Sequence, residues 1–186
     1  MNKAEIKHVQ CRIGTVVDGF WGPNSTAAAK RHLRKLMPFS PWPKTDQASL
    51  TRFYGKPGDE SRLINLSVTG LGLRYEGGAV RTVRCHHKVG DSLHRVLTAI
   101  SNSEFSYILH EYAGVYNNRP MRGGSLPSLH ARGAAIDLDP DRNTNRSHWP
   151  IAAKMPIEVM EFFAKEGWIS AGAFWSRDAM HFQATR

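Results

Sequence analysis

The chain has no run of about eighteen apolar residues, the length a membrane-spanning helix needs, so no such helix is expected. Its first residues, MNKAEIKHVQCRIG, carry charges throughout and contain no apolar core of the kind a secretory signal needs. Only two cysteines occur in 186 residues, Cys11 and Cys85, without disulfide or metal spacing. Both are read as small buried thiols. Acidic residues are scarce, 16 against 25 Lys and Arg, which leaves a formal charge of +9 and points to a polyanionic partner. No nucleic-acid-binding motif accompanies that charge, so a cell wall or another anionic surface fits as well. There is no internal repeat and no low-complexity tract.

What is present is enough for a packed interior: 41% apolar residues, with five Trp and eight Phe, exclude a disordered chain. The most informative stretch is SLHARGAAIDLD, residues 128–139. AAIDLD reads as a short strand with Ile136 and Leu138 on one face and Asp137 and Asp139 on the other. The small residues before it, with Gly133, allow close approach, so that His130 and Asp137 aim at one point. An imidazole nitrogen and a carboxylate oxygen together suit a zinc ion. A third ligand is available in SRDAMHFQ, residues 176–183. There His181 alternates with Met180 and Phe182 and faces away from the apolar side. Three protein ligands with the fourth position left to water describe a catalytic zinc rather than a structural one.

SLHARGAAID resembles the Ser-x-His-x-x-Gly-x-Ala-x-Asp signature of the zinc peptidases that cut peptidoglycan stem peptides. These include D-alanyl-D-alanine carboxypeptidases, D-alanyl-D-alanine dipeptidases and L-alanyl-D-glutamate endopeptidases. Ser128, His130, Gly133, Ala135 and Asp137 fill every fixed place. A second family motif, an acid three residues before the last zinc His, is matched by Asp178 and His181. Many members carry Glu there, and the Asp form is similar to the phage endolysin-like branch.

The resemblance implies one catalytic Zn2+ held by His130, Asp137 and His181, with Asp178 as the base that moves the water's proton. Ser128 would orient the metal site through a hydrogen bond. An upstream arginine, Arg119 or Arg122, would bind substrate carboxylate or carbonyl. The implied fold is α+β, a Hedgehog/DD-peptidase-like antiparallel sheet with helices on one side. The implied partner is bacterial peptidoglycan, cut by a monomer made in the host cytoplasm and released by a holin-type route. The scissile bond is read as L-Ala–D-Glu, with D-alanyl-D-alanine carboxypeptidase action as the alternative. A catalytically silent wall-binding or virion structural protein is the alternative of another class.

Residues 4–37 read as a helix, a Gly-rich turn and a second helix beginning near Pro23, with Asn24 or Ser25 at its start and Ala27 to Leu36 as its body. Gln10, Asp18, Gly19, Gly22, Thr26 and Ala29 resemble a small all-α peptidoglycan-binding module, with Trp21 where Phe or Tyr is commoner. Residues 1–40 are assigned to that module, with Asp18, Gly19 and Trp21 as its wall-binding residues, and 41–186 to the peptidase domain. MPFSPWPKTDQ, residues 37–47, with three prolines, is the expected boundary.

Further along, Glu76-Gly77-Gly78 signals a hairpin. VGDSLHRVLTAIS reads as a helix capped by Asp91 and burying Leu93, Val96, Leu97 and Ile100. YILHEY, 107–112, reads as a strand, and MPIEVMEFFAKEGW as the final helix, ended by Gly167. Cys85-His86-His87 is set aside as a metal cluster because neighbours on a strand point to opposite faces. His110 is read as a core histidine or a cleft residue. His148 with Trp149 is read as a cleft wall, and Glu166 as surface. Asp139 is expected to steady a ligand or cap the following loop.

Overall fold

The computed structural model describes residues 1–38 and 40–186. The expected boundary over 37–47 includes Phe39, which lies outside the described residues. The chain is mixed α and β, consistent with an α+β fold. Three helices open it: α1 (Lys3–Arg12), α2 (Pro23–Leu36) and α3 (Gln47–Tyr54). Two short antiparallel ribbons follow, β1 (Leu63–Ser67) with β4 (Thr82–His86), and β2 (Arg74–Tyr75) with β3 (Gly78–Ala79). After α4 (Gly90–Ser101) come β5 (Tyr112–Gly114), β6 (Ala135–Leu138), α5 (Ile157–Lys165), β7 (Ile169–Ser170), α6 (Ala171–Trp175) and β8 (His181–Gln183). The last four strands make an antiparallel sheet in the order β5-β6-β8-β7.

The hairpin β2–β3 turns through Glu76 and Gly77, both at positive φ (49° and 79°). That conformation matches the twist of paired strands in a two-residue turn. In α4, Leu93, Val96, Leu97 and Ile100 are buried as the helical spacing predicts. Asp91 does not cap this helix: Val89 occupies the cap, and Asp91 lies inside the first turn, where its charge faces the positive end of the helix dipole. α2 begins at Gly22 and Pro23 without a side-chain cap, so neither Asn24 nor Ser25 plays that part. YILHEY is not a strand. Ser106–His110 forms a 3-10 turn in which Ile108 and Leu109 are both buried, and only Tyr112 of the segment belongs to a strand, β5. His110 is exposed there rather than in the core. The final helix of the chain is α6, not α5.

One hydrophobic core runs through the molecule, from Val9, Ala29 and Leu33 at the N-terminal end to Phe163, Trp168 and Phe182 under the sheet. Phe163 stacks on Phe182 with ring centres 3.8 Å apart, supporting β8 from below. The N-terminal helices are built around Gln10. Its side chain accepts from Gly19 N at 2.7 Å and donates to Asp18 Oδ1 and the Phe20 carbonyl, each at 2.8 Å. Trp21 packs edge-on against Trp149, 5.2 Å between centres, so Trp149 is a buried core residue rather than a cleft wall.

Charge fastens the same joint. Glu161 on α5 accepts from Arg12 Nε and Nη2, both at 2.7 Å, and meets His32 Nε2 at 2.8 Å. Burial works to raise the Glu161 carboxyl, but Arg12 and His32 more than offset it, and its pKa is lowered. A carboxylate with a lowered folded pKa adds stability above its unfolded value of roughly 4.3, and loses it as pH falls through the folded value. Acidification below that range is therefore expected to loosen α1 and α2 first, read as amide exchange in residues 3–36. Glu161→Gln should flatten that acid step; an unchanged step in the variant would refute the assignment to this carboxylate.

Candidate metal centre

His130, Asp137 and His181 are brought together by two local devices. Ser128 opens the 3-10 turn Leu129–Arg132 by accepting from His130 N at 3.3 Å. Gly133 ends the turn at φ 64° and passes the chain into β6. A methyl at Gly133 would stand 2.8 Å from His86 N, so only glycine permits this approach to β4. Asp137 on β6 lies directly opposite His181 on β8 in the antiparallel register. Cross-strand neighbours on one face meet, which joins residues 44 apart in sequence.

The three donor atoms form a tight triangle. Asp137 Oδ1 is 2.9 Å from His181 Nδ1 and 3.2 Å from His130 Nε2, and the two nitrogens are 3.2 Å apart. The face of a tetrahedron with bonds of 2.0–2.1 Å has edges of about 3.3 Å, so the donor set has the dimensions of a zinc site. All three residues are buried.

The outer nitrogens decide which ring atoms are free. His130 Nδ1 donates to the Val115 carbonyl at 2.7 Å, and His181 Nε2 donates to Gln183 Oε1 at 3.1 Å. The amide nitrogen of Gln183 is in turn spent on Thr185 Oγ1 at 2.6 Å. Both inner nitrogens then present lone pairs to each other, an arrangement a shared cation relieves. In the absence of a metal, burial works to raise the Asp137 carboxyl, while imidazoles protonated at their inner nitrogens hold it well below the usual carboxylate range. Burial disfavours charge on His181, and the Asp137 carboxylate outweighs that, raising its pKa.

Gln183, which reading the sequence missed, contacts the outer nitrogen of His181. Its signal was available, because residues 181, 183 and 185 share one face at the strand period. Gln183→Leu is expected to weaken zinc binding about 10- to 100-fold, measured by competition with a chelator. Equal affinity in the variant would remove Gln183 from this role.

Asp178 sits in the turn before β8 at φ 59°, and its carbonyl accepts from His181 N at 2.9 Å. Its Oδ1 is buried and has no hydrogen-bond partner among the described residues, which leaves that oxygen to a donor outside the chain. Burial raises its carboxyl, His181 and Arg122 pull it down, Asp137 pushes it up, and the pKa stands above the ordinary value. Arg119 and Arg122 line the cavity of about 390 Å³ that opens beside His130 and Asp137. Arg119 donates to the Pro120 carbonyl at 3.2 Å, and Arg122 is carried by the turn that the Pro120–Pro127 bridge closes. Trp175, unnoticed in the sequence, stacks on His181 with centres 6.0 Å apart and forms part of the wall of the neighbouring cavity.

Other expected residues lie apart. Asp18, Gly19 and Trp21 belong to the N-terminal turn around Gln10. Asp139 caps its loop, accepting from Arg142 and Asn143. Cys11 is exposed, unlike Cys85, because it lies on the outer side of α1. His86 is buried with Nε2 against the Tyr54 carbonyl, and burial lowers its pKa to about 4. That histidine is satisfied by backbone and, among the described residues, belongs to no cluster of three metal-binding side chains.

No curated protein and no solved structure matches the chain. A family described as D-alanyl-D-alanine carboxypeptidase matches residues 122–184, a segment that contains all three donor residues, Asp178 and Arg122. That match and the buried His-Asp-His group support a metallopeptidase, and over this segment the chain is similar to the D-alanyl-D-alanine carboxypeptidase family.

Proposed function

We propose that the chain is a zinc-dependent peptidoglycan peptidase of endolysin type that hydrolyses the stem peptide at the L-Ala–D-Glu bond. The observation that carries the reading is the convergence of His130 Nε2, Asp137 Oδ1 and His181 Nδ1 beside the unpartnered buried oxygen of Asp178. A zinc ion bound there would supply a Lewis acid for the scissile carbonyl and a water that ionises near neutrality. Asp178 takes the proton of the attacking water and returns it to the leaving amine. Arg122 and Arg119, with their planar forks, orient a substrate carboxylate or carbonyl. Val115, Gln183 and Ser128 hold the histidines in place. The description of the matching family favours a second reading, removal of the terminal D-alanine.

The groove around the turn of residues 15–25, with Val16 and Phe20 exposed at its rim, is proposed to hold the enzyme on the wall. One experiment addresses these readings. The protein is incubated with purified peptidoglycan, with zinc or with chelator, and both the pellet and the released fragments are analysed by mass spectrometry. New N-terminal D-Glu appearing only with metal is the expected result. Release of single D-alanines would assign a carboxypeptidase. Protein in the pellet without released fragments would leave wall binding alone, and protein in the supernatant would end the wall-binding assignment.

A further inference from the structure

Three separate segments deliver arginines to the metal centre. The turn closed between Pro120 and Pro127 carries Arg119 and Arg122, the loop after β6 carries Arg146, and the α6–β8 turn carries Arg177. All four line one cavity of about 420 Å³ with His130, Asp137 and His181. The backbone bridge between His148 and Arg177 ties the second and third segments together beside it.

Four surface arginines elsewhere are committed to carboxylates, Arg62 to Asp59, Arg84 to Glu60, Arg95 to Glu166 and Arg142 to Asp139, while the exposed Arg31, Arg34, Arg52, Arg74 and Arg81 stand scattered; the cavity four differ in being gathered on one wall. None of the four cavity arginines is in an ion pair among the described residues. The acids on the same wall are Asp137, already engaged by two imidazoles, and Asp178. Four arginines thus share this wall with two carboxylates, and a divalent ion would widen the imbalance. Like charges gathered on one concave wall repel one another, and that cost is recovered when an anion enters. The planar fork of arginine matches a carboxylate with two parallel hydrogen bonds.

We propose that Arg146 and Arg177, with Arg119 and Arg122, select peptides bearing at least two free carboxylates close to the scissile bond, and discriminate against the same peptides with those groups amidated. The proposal rests on the peptidase reading and narrows its substrate to acidic stem peptides. Arg146 and Arg177 are the specificity-determining pair on the side of Asp178 and Trp175. Wall peptides whose free carboxylates have been converted to carboxamides would offer this cavity neutral groups and leave its charge uncompensated.

The test uses the full chain loaded with zinc and two synthetic stem peptides, one with free carboxylates and one with carboxamides. Each is prepared both as the ordinary amide and with a ketomethylene group replacing the scissile amide. Calorimetry on the uncleavable pair reads binding without turnover. The free-acid form is expected to bind about 10- to 100-fold tighter, the range for hydrogen bonds to charged groups. Salt that shortens the screening length to about 3 Å should erase most of the difference. In the variant Arg146→Gln/Arg177→Gln, both sites being exposed, discrimination should fall by about tenfold with zinc stoichiometry unchanged.

Equal binding of the two forms, or full discrimination in the double variant, would overturn the proposal. Cleavage of the ordinary peptides is scored separately. Discrimination in binding without hydrolysis of either peptide would sink the peptidase reading and leave the carboxylate site standing. Hydrolysis without discrimination would do the reverse.

Discussion

Asp178→Asn is expected to lower peptide hydrolysis about 10²- to 10⁴-fold, the usual contribution of a positioned acid–base group, while zinc binding is retained. The substitution is well suited to the question. Asp178 adopts φ 59°, a left-handed conformation that Asn tolerates better than most residues, so the turn into β8 keeps its shape. The main-chain bond from His181 N to the Asp178 carbonyl does not involve the side chain and survives. What changes is the buried Oδ1, which has no partner among the described residues. Asparagine can still donate or accept a hydrogen bond there, but it cannot take a proton at neutral pH. A fall in kcat at unchanged zinc content would place the proton transfer on this carboxylate. Turnover within about threefold of the parent would exclude a role of the size expected for a general base.

Gly133→Ala should destabilise the fold by about 3 kcal/mol, from left-handed strain of about 1–2 kcal/mol and overpacking of about 1–3 kcal/mol. The added methyl would meet His86 N at 2.8 Å, and that amide is already held by a 2.9 Å bond to the Gly133 carbonyl, so neither strand can give way easily. For a chain of this length the expected drop in Tm is about 6–12 °C. Gly77→Ala supplies the control. Gly77 has φ 79° but nothing within 4 Å of the added methyl, so it reports the strain without the clash. Equal losses at the two glycines would mean that packing against β4 contributes nothing. Because His130 lies three residues before Gly133, zinc affinity should fall only in the Gly133 variant.

The donor set was legible because each ligand obeys a local rule. Asp137 alternates with Ile136 and Leu138, and His181 with Met180 and Phe182; the structure buries the apolar members and turns the others to the centre. The buried face of α4 and the turn at Glu76-Gly77 were readable for the same reason. What escaped depended on partners distant in sequence. β1 has no alternation to detect, since its ribbon with β4 leaves most of its residues at least partly exposed. The 3-10 turn at Ser106–His110 contains residues that favour strands, and its packing against α4 is a tertiary contact that local preference does not report. Trp175 reads as one more aromatic until α6 sets its ring against His181. Of the four cavity arginines, Arg119 and Arg122 were readable beside the motif, whereas Arg146 and Arg177 come from two further segments and were not.

The edge-on contact of Trp21 with Trp149, together with the grip of Glu161 on Arg12 and His32, has a consequence for the proposed wall-binding role of the N-terminal helices. A binding unit on a flexible linker raises local substrate concentration over a sphere whose radius the linker sets, and it lets the enzyme graze in any direction. Here the N-terminal helices share their core with α5, so the distance and angle between their groove and the metal centre are set by packing. A strand of polymer held in the groove would therefore be offered to the cleft in one heading. Cleavage by such a molecule would proceed at a set stride from each point of attachment, like a gauge, and would leave fragments of narrower size distribution than a tethered enzyme produces.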